Sequence, residues 1–496
     1  MNGIEQHLPA LQVVVPMLSA AVVMLLKPRG LAWAASTAAS LCAFAIAVTI
    51  TLATLEGETL SYLMGSWPAP YGIELRVDAF SALMLLVVTG ASSITLLAGY
   101  QSIAREIETD RQPLFYTAWL LVLAGLCGIL VAADAFNIFV FMEISSLASY
   151  VLVAGGSDRR ALPAVFKYLI MGTIGATFYL IGVGLIYLMT GTLNLADIEF
   201  RIHDVGDQKP ILVAAGFITV GLALKAAVFP LHVWLPNAYT YAPNMVTVFL
   251  AACATKVSIY ILLRFNFFVF QPHLVGHDSQ FAYFLMPLSL LAILVASGVA
   301  MFEPNLKRLL AWSSVAQIGY ITLGVSMVSV PGITAALLHI FNHALAKGAL
   351  FLAVACLGMS VARMRIDSIG GIAQKMPWTM GAFVLAGLSL IGVPGTAGFI
   401  SKWYLISAAF RSDSLGWMLV AVIVISSLMA VVYVWRVVEA AYFQAPNPDS
   451  TAIEAPLPLL LAAWSAVLLN FYFGLMPALP LELATSAAQM LQGQMP

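Results

Sequence analysis

Long apolar runs alternate with short polar connections along almost the whole chain. Most runs reach the length of roughly 20 residues that an α-helix needs to cross a hydrocarbon core about 30 Å thick. The pattern predicts an all-α polytopic membrane protein with about fourteen transmembrane helices. We place them at about 9–27, 31–54, 79–100, 113–133, 135–155, 164–190, 211–230, 244–270, 281–302, 308–329, 333–360, 378–410, 414–441 and 457–482.

Composition agrees with this pattern and excludes a soluble globular protein. Hydrophobic residues make up 61% of the chain and charged residues 9%, with a mean hydropathy of +0.96. The first apolar run has no basic segment before it, so we expect a retained helix and not a cleaved signal peptide. Cys42, Cys127, Cys253 and Cys356 lie in apolar runs without metal-ligand spacing. Phosphate-binding, nucleic-acid and hydrolase motifs are absent, and no motif implies a cofactor.

Lysine and arginine divide unevenly between the two sets of loops. Cytoplasmic loops of membrane proteins are enriched in these residues. If the N-terminus lies outside, the extracytoplasmic side holds only Arg76, Arg201, Lys209, Arg264 and Arg411. The cytoplasmic loops then hold Lys27, Arg29, Arg105, Arg111, Arg159, Arg160, Lys167, Lys307, Arg308, Arg363, Arg365, Lys375 and Arg436. We therefore expect both termini on the extracytoplasmic side of the membrane.

Two of the predicted helices carry a lysine and are interrupted by proline. The segment GVPGTAGF places Pro394 ahead of Lys402, whereas Lys225 is followed by Pro230 and Pro236. Proline removes a backbone donor, and freed backbone groups at membrane depth must face protein or a cavity. We therefore expect two broken helices.

The paired breaks also predict an internal repeat. A weaker similarity between SSLA at 145–148 and SSVA at 313–316 also favours a repeat. Five helices form each unit, so the second unit is inverted relative to the first, as in many secondary transporters. The expected organisation is a three-helix N-terminal segment, two inverted five-helix repeats, and a C-terminal helix and tail, at 1–112, 113–270, 281–441 and 442–496.

Glu143 and Lys225 are the first candidates for chemistry. A charge at bilayer depth costs roughly 2.5–3.5 kcal/mol on insertion scales, so it normally faces a partner or a watery cavity. Pairing would stabilise the charged form of both groups, and a buried lysine that loses its partner gives up its proton more readily. A static structural ion pair is the alternative.

The following helices add candidates for a proton relay. Lys256 could receive a proton from Lys225 through water, or its ammonium could extend to the membrane interface. His339, His343 and Lys347 are spaced at i, i+4 and i+8, which places them on one helical face. Histidine titrates near neutrality and suits proton relay, although buried histidines bonded to backbone carbonyls are common.

Two ligand-binding alternatives for these histidines are weak. The spacing resembles part of a zinc motif, but the glutamate and a third ligand are missing. Haem ligation needs histidines on facing helices, and only His232 lies near another predicted membrane helix. We therefore predict no metal site.

Lys402 would end the series of intramembrane lysines. Asp134 and Asn137 are expected in a loop and helix cap, with Asp134 as a candidate for an outer proton mouth. Asp78 begins a helix, where the helix dipole favours a negative charge.

The candidate residues stand in motifs that resemble a known family. These motifs are FMEISSLASYVL with Glu143, LKAAVFPLHVWLPNAYTYAP with Lys225, TKVSIY with Lys256, HIFNHALAKGALF with His339, His343 and Lys347, and GTAGFISKW with Lys402. In this order they resemble the antiporter-like subunits shared by respiratory complex I, membrane-bound hydrogenases and Mrp-type cation/proton antiporters. The resemblance extends from about Asp78 to Phe443.

The resemblance implies a polar axis across the middle of the membrane. Glu143 and Lys225 would be the coupling pair, Lys256 with the histidine segment the relay, and Lys402 the terminal lysine. Lysine at 402 and the end of the chain soon after the fourteenth helix resemble the D subunit of Mrp-type Na+/H+ antiporters. We therefore expect a proton-translocating subunit of a multisubunit Na+/H+ antiporter, not an enzyme, that handles protons and Na+ beside other membrane subunits. The alternative is a subunit of a complex I-like oxidoreductase or membrane-bound hydrogenase.

Overall fold

The computed structural model describes residues 5–26, 28–271, 277–361, 363–411, 415–445 and 452–493. Within these ranges, 13 helices are long and apolar enough to cross a membrane. Two shorter helices, Pro377–Ile391 and Ala397–Phe410, occupy the place of the remaining predicted one. The expectation of an all-α polytopic fold is confirmed. Lys27, which the charge distribution placed in a basic loop, lies outside the described residues.

The helices follow one another with short connections and one small β-hairpin. The first half comprises α1 (Leu8–Leu25), α2 (Arg29–Leu55), β1 (Leu60–Leu63), β2 (Glu74–Val77), α3 (Ala79–Glu106), α4 (Gln112–Val131), α5 (Ala135–Ala154), α6 (Ala161–Thr190), α7 (Leu195–Ile202), α8 (Lys209–Ala226), α9 (Leu235–Tyr241) and α10 (Asn244–Leu263). The second half comprises α11 (His277–Phe302), α12 (Leu306–Ser326), α13 (Val330–Gly358), α14 (Pro377–Ile391), α15 (Ala397–Phe410), α16 (Gly416–Phe443), α17 (Leu457–Leu475) and α18 (Ala478–Leu491). A π-helical segment, Arg264–Phe270, continues α10.

Both interruptions predicted from proline are present. Helix α8 ends where Ala227 adopts a left-handed conformation, with φ of 56°, and α9 begins only at Leu235. Helix α14 ends at Gly392, whose φ of 93° suits glycine, and α15 begins at Ala397. The breaks therefore divide each lysine-bearing span into two half-helices.

Other expected boundaries were wrong. The span predicted at 457–482 is two helices, α17 and α18, because Pro477 cannot donate the next helical hydrogen bond. The antiparallel hairpin of β1 and β2 was not predicted, since four-residue strands between membrane helices give little periodic signal. The short helix α7 was also missed; it buries Leu195, Ile198 and Ile202 along one face.

Part of the predicted division of basic residues between two faces agrees with the structure. One vestibule gathers Arg105, Arg160, Lys307, Arg308, Arg363 and Arg365, all assigned to the same side by the charge distribution. Arg76 and Arg264, assigned to the opposite side, line a separate cavity with Glu74 of the hairpin and Gly493 near the end of α18. Which of these faces points to the cytoplasm stays a prediction.

The two expected repeats have matching helix contacts. In the first, α4 contacts α5, α5 contacts α6, and α6 contacts α8. In the second, α11 contacts α12, α12 contacts α13, and α13 contacts both α14 and α15. These contacts are consistent with two related units, whose boundaries and inverted relation stay predictions.

Close approach of α6 and α8 positions the helix that carries Lys225. A Cβ atom added at Gly221 would lie 2.5 Å from the carbonyl oxygen of Gly175, and one added at Gly175 would lie 2.8 Å from that of Gly221. Both distances are to backbone atoms, which cannot move as a flexible side chain does. Glycine at both positions therefore permits this approach.

Gly221→Ala is expected to lower the free energy of unfolding by about 1–3 kcal/mol, the usual cost of overfilling a packed interior. Gly216→Ala on the same helix is the matched control, because no atom of the described residues lies within 4 Å of the added Cβ. Thermal unfolding of the detergent-solubilised protein measures both. Equal melting temperatures for the two variants would show that the α6 and α8 contact does not need glycine.

Candidate functional site

Lys225 and Glu143 form an ion pair between α8 and α5. The Lys225 ammonium lies 3.0 Å from Glu143 Oε1 and donates a second hydrogen bond of 2.8 Å to Ser146 Oγ. Lys225 is in the last turn of α8, where the negative end of the helix dipole favours a cation. The pairing expected from the sequence is confirmed.

The pair is asymmetric in its exposure. The Lys225 side chain is 6% exposed, whereas that of Glu143 is 26% exposed. Glu143 lies along the outward face of α5, which also presents exposed apolar side chains at Phe136, Val140, Leu147 and Val151. The carboxylate therefore stands at the boundary between the interior and an apolar outer surface.

A small polar cavity adjoins Lys225. Its volume is about 30 Å³, and its lining includes hydroxyl groups from α5, α6 and α10, namely Ser145, Ser146, Ser149, Tyr150, Tyr168 and Ser258. This volume admits about two water molecules, and the hydroxyls offer enough hydrogen-bond partners to hold them. Since Val257 and Ser258 also line the cavity, it extends from Lys225 to the helix that carries Lys256.

Lys256 is buried in α10 and does not extend to the membrane interface. Its side chain is almost wholly inaccessible, and its ammonium donates to the carbonyl oxygen of Ala251 in the same helix. Of the two placements that the sequence left open, the structure shows the interior one.

His339 and His343 share one face of α13, as the spacing predicted. Their rings are nearly parallel, with centroids 6.0 Å apart. His339 Nδ1 lies 2.9 Å from Ser401 Oγ, and His339 Nε2 lies 2.8 Å from Gln317 Oε1. Within the described chain neither ring nitrogen of buried His343 has a hydrogen-bond partner. Backbone carbonyls therefore do not account for either histidine.

His232, the other histidine considered for haem, lies in the break between α8 and α9. It stacks on Phe229 and meets Trp312 edge to face. No group of three or more histidine, cysteine or acidic residues that could hold a metal ion occurs in the part of the chain that the structure describes.

Lys347 is fully buried between α13 and α12. Its ammonium donates 2.8 Å to the carbonyl oxygen of Leu310 and also donates to Ser313 Oγ. Both acceptors are neutral, so neither fixes the ammonium form as a carboxylate would. This environment suits a lysine that gains and loses a proton.

Lys402 is held by the end of the other broken helix. From α15 its ammonium donates to the carbonyl oxygens of Leu390 and Ile391, at 3.1 and 2.8 Å, and to Ser427 Oγ at 3.0 Å. The last carbonyls of a helix have no partner within it and carry its negative dipole end. The Gly392 break thus creates an acceptor site for a cation at membrane depth.

Sequence reasoning missed the polar face of α12. Ser313 accepts from Lys347, Gln317 contacts His339, and the Lys402 ammonium lies 5.1 Å from the centre of the Tyr320 ring. These three residues are spaced at i, i+4 and i+7, a helical spacing that could have revealed them. Helix α12 therefore runs along the candidate residues of α13 and α15.

A second ion pair, between Asp78 and Arg264, was also missed. Arg264 Nη2 lies 2.5 and 2.6 Å from the two carboxylate oxygens of buried Asp78. Asp78 caps α3 as predicted, by accepting from the amides of Phe80 and Ser81. Burial raises the pKa of the Asp78 carboxyl, but the charge and hydrogen bonds of Arg264 outweigh it and hold that pKa below its usual value.

Asp134 is confirmed as the cap of α5. Its carboxylate accepts from the backbone amide of Asn137 at 2.8 Å and from the side-chain amide at 3.3 Å. Burial raises the pKa of Asp134 above its usual value, against the hydrogen bonds that lower it. Its role as an outer proton mouth stays a prediction.

Two larger cavities lie toward opposite faces of the protein. The vestibule on the arginine-rich face has a volume of about 800 Å³ and is lined by both basic and acidic residues. The cavity on the hairpin face has a volume of about 240 Å³ and includes Asp78 and Arg264. The membrane helices that carry the buried lysines run between these faces.

Comparison with known proteins places these residues in a family setting. Residues 132–430, which include every candidate from Glu143 to Lys402, match the family described as NADH:quinone oxidoreductase/Mrp antiporter, transmembrane. The N subunit of the NADH-quinone oxidoreductase of Desulforudis audaxviator is 42% identical over 462 residues, covering 91% of this chain and 90% of the relative. The D subunit of the Na(+)/H(+) antiporter of Bacillus subtilis strain 168 is 30% identical over 474 residues, covering 94% and 93%. A solved structure of the membrane-bound sulfane sulfur reductase, an archaeal respiratory membrane complex, aligns with a TM-score of 0.90 at 30% identity, covering 98% of this chain and 97% of the other.

Proposed function

Because the chain belongs to the NADH:quinone oxidoreductase/Mrp antiporter family of multi-pass membrane subunits, we propose that it translocates protons within a multisubunit Na+/H+ antiporter of a bacterial inner membrane. The observation that carries this proposal is the pair of Lys225 and Glu143 beside a water-sized polar cavity. We name Glu143, Lys225, Lys256, His339, His343, Lys347 and Lys402 the charged axis. Proton transfer is the role that we assign to each of them.

The ion pair gives the axis a way to change its affinity for protons. While Lys225 contacts Glu143 and Ser146, its ammonium form is stabilised. Loss of the Glu143 contact leaves a cation in a poorly solvated site, which favours release of its proton. Water in the adjoining cavity then offers a route toward α10 and Lys256.

Lys347 and Lys402, whose hydrogen-bond partners are neutral, suit the proton-transfer steps that follow Lys256. Lys347 and Lys402 both donate to carbonyl and hydroxyl oxygens, which accept equally from an ammonium or a neutral amine. A proton on either lysine is therefore held by hydrogen bonds and not by a fixed negative charge. His339 and His343 lie on the same face of α13 as Lys347 and can carry the proton between these sites.

The partial exposure of Glu143 supports the proposal that another subunit packs against α5. A carboxylate that is 26% exposed beside apolar side chains would be costly against lipid. A polar or cationic group of another membrane subunit would satisfy it. We propose that this face of α5 contacts another subunit of the complex.

The proposed complex exchanges protons against Na+ across the membrane. Each charge that crosses a potential of 100 mV exchanges roughly 2.3 kcal/mol, so proton return down the potential can drive cation export. This chain supplies the proton-transfer groups, and we place the cation path on a partner subunit.

A redox-driven complex is the second candidate. It is favoured by the higher identity to the N subunit of an NADH-quinone oxidoreductase than to the D subunit of an antiporter. The same charged axis would then move protons, with electron transfer in other subunits supplying the energy. The two functions differ in what drives proton movement.

The driving reaction can be tested in inverted membrane vesicles that contain all subunits of the native complex. A pH-sensitive dye follows proton movement after addition of NaCl or, separately, NADH. We expect NaCl to elicit proton movement in vesicles with the complex and none in vesicles that lack it. Movement with NADH but not with NaCl would refute the antiporter assignment in favour of the redox-driven one.

A further inference from the structure

Lys307 lies at the floor of the vestibule on the arginine-rich face. The sequence placed it in a basic loop beside Arg308, but the structure places it in the first turn of α12, with 6% of the residue exposed. Its ammonium donates 2.6 Å to the carbonyl oxygen of Ala242, at the end of α9. Lys307 thus resembles the buried lysines of the charged axis more than a surface lysine.

The vestibule brings acidic groups toward this lysine. Glu106 at the end of α3 and Asp158 between α5 and α6 line the vestibule and attract Lys307 electrostatically. Each carboxylate has closer partners, because Glu106 accepts from the amide of Asn244 and Asp158 binds Arg160. The direct partner of the Lys307 ammonium is therefore a neutral carbonyl.

Helix α12 connects Lys307 to the charged axis. Leu310 lies one turn after Lys307, roughly 4.5 Å farther along the helix, and its carbonyl oxygen accepts from Lys347. Ser313, the other acceptor of Lys347, lies in the next turn. Lys307 is the buried cation of the vestibule that stands nearest along α12 to a lysine of the axis.

We propose that Lys307 transfers protons between the vestibule and Lys347. This inference rests on the proposed function. A proton from vestibule water binds the neutral amine of Lys307, and the resulting ammonium passes a proton through water to the neutral amine of Lys347. Lys307 returns to its neutral form, so the step conserves protons and charge and needs no other reactant.

The competing role is that of a structural tether. The hydrogen bond to Ala242 joins α12 of the second predicted repeat to α9 of the first. A tether needs a donor and a long side chain but not a group that can lose its proton. Arginine provides the donor and the length, and it stays protonated in proteins.

Lys307→Arg separates the two roles. In inverted vesicles with the whole complex, we expect at least about a hundredfold slower proton movement, as for the loss of a positioned acid or base. Arg363→Lys, at an exposed position of the same vestibule, is the matched control and should keep the wild-type rate. Wild-type transport by Lys307→Arg would overturn the proposal and leave Lys307 as a tether.

Two further variants, Lys307→His and Lys347→Met, test the proposal independently of the arginine variant. Lys307→His retains a group that releases protons. Its transport rate, plotted against pH, should therefore be shifted to lower pH relative to wild type. An unshifted profile would overturn the proposal even if the arginine variant failed to assemble. Lys347→Met tests the axis itself. Normal transport by Lys307→Arg with loss in Lys347→Met would reject only the Lys307 inference, whereas normal transport in both would also reject the proposed function.

Discussion

Lys225→Ala is expected to slow proton movement by roughly a hundredfold or more, within the range found when a positioned acid or base is removed. The substitution removes the ammonium that contacts both Glu143 and Ser146, and with it the lysine that lines the polar cavity. It also leaves the Glu143 carboxylate without its cation. We therefore expect a lower melting temperature together with the loss of transport, and native gel electrophoresis must show that the complex still assembles.

Two comparisons isolate the transport effect of Lys225. Lys209→Ala makes the same change at the exposed first residue of α8, and should keep the wild-type rate. Glu143→Gln preserves the shape of the carboxylate and its capacity to accept a hydrogen bond but removes the charge, and should also lose transport. A static ion pair would instead give lower stability with the rate of the assembled complex unchanged.

Lys347→Met is expected to slow proton movement strongly without destabilising the protein. In the described part of the chain, Lys347 donates to a carbonyl and a hydroxyl oxygen and to no carboxylate, so its removal leaves no charge unpaired there. Methionine fills much of the space of the lysine stem, and replacing a buried charge by an apolar group removes a desolvation cost. We therefore expect transport to fall at least about a hundredfold while the melting temperature stays the same or rises.

A functional lysine and a structural lysine differ in how their loss changes the transport rate and the melting temperature. Lys375→Met, at an exposed position after α13, controls for the loss of a lysine as such. A fall in melting temperature with normal transport per assembled complex would assign Lys347 to structure. Thermal unfolding gives the melting temperature, and vesicle transport on the same preparations gives the rate per assembled complex.

The sequence predicted the charged residues better than their surroundings. Lys225 and Glu143 were paired because each is a charge in a predicted membrane helix, and burial of one requires the other. The break before Lys402 followed from Pro394 and its flanking glycines. The two carbonyl oxygens that accept from Lys402 could not be predicted, because their position depends on how α15 packs against the end of α14.

Contacts between residues far apart in sequence were the main omissions. Asp78 and Arg264 are separated by 186 positions, and neither lies in a pattern that points to the other. Lys307 was assigned to a basic loop because the predicted helix began only at 308, whereas the structure places it in the first turn of α12 with its ammonium on the carbonyl oxygen of Ala242. Local periodicity finds helices and their faces, but it does not show which faces meet.

The partners of His339 illustrate the same limit. The spacing of His339, His343 and Lys347 predicted a shared face, which is what α13 presents. That His339 would bridge Gln317 of α12 and Ser401 of α15 depends on three helices meeting. His343, whose ring nitrogens have no hydrogen-bond partner among the described residues, has the same local spacing and a different environment.

The most direct test of the account is the rate of proton movement per assembled complex in inverted vesicles, measured for wild type, Lys225→Ala and Lys209→Ala side by side. NaCl or NADH is used as the driving addition, according to which one drives the wild-type complex. The charged axis predicts loss in Lys225→Ala and a wild-type rate in Lys209→Ala. A wild-type rate in the assembled Lys225→Ala complex would contradict proton transfer through this lysine.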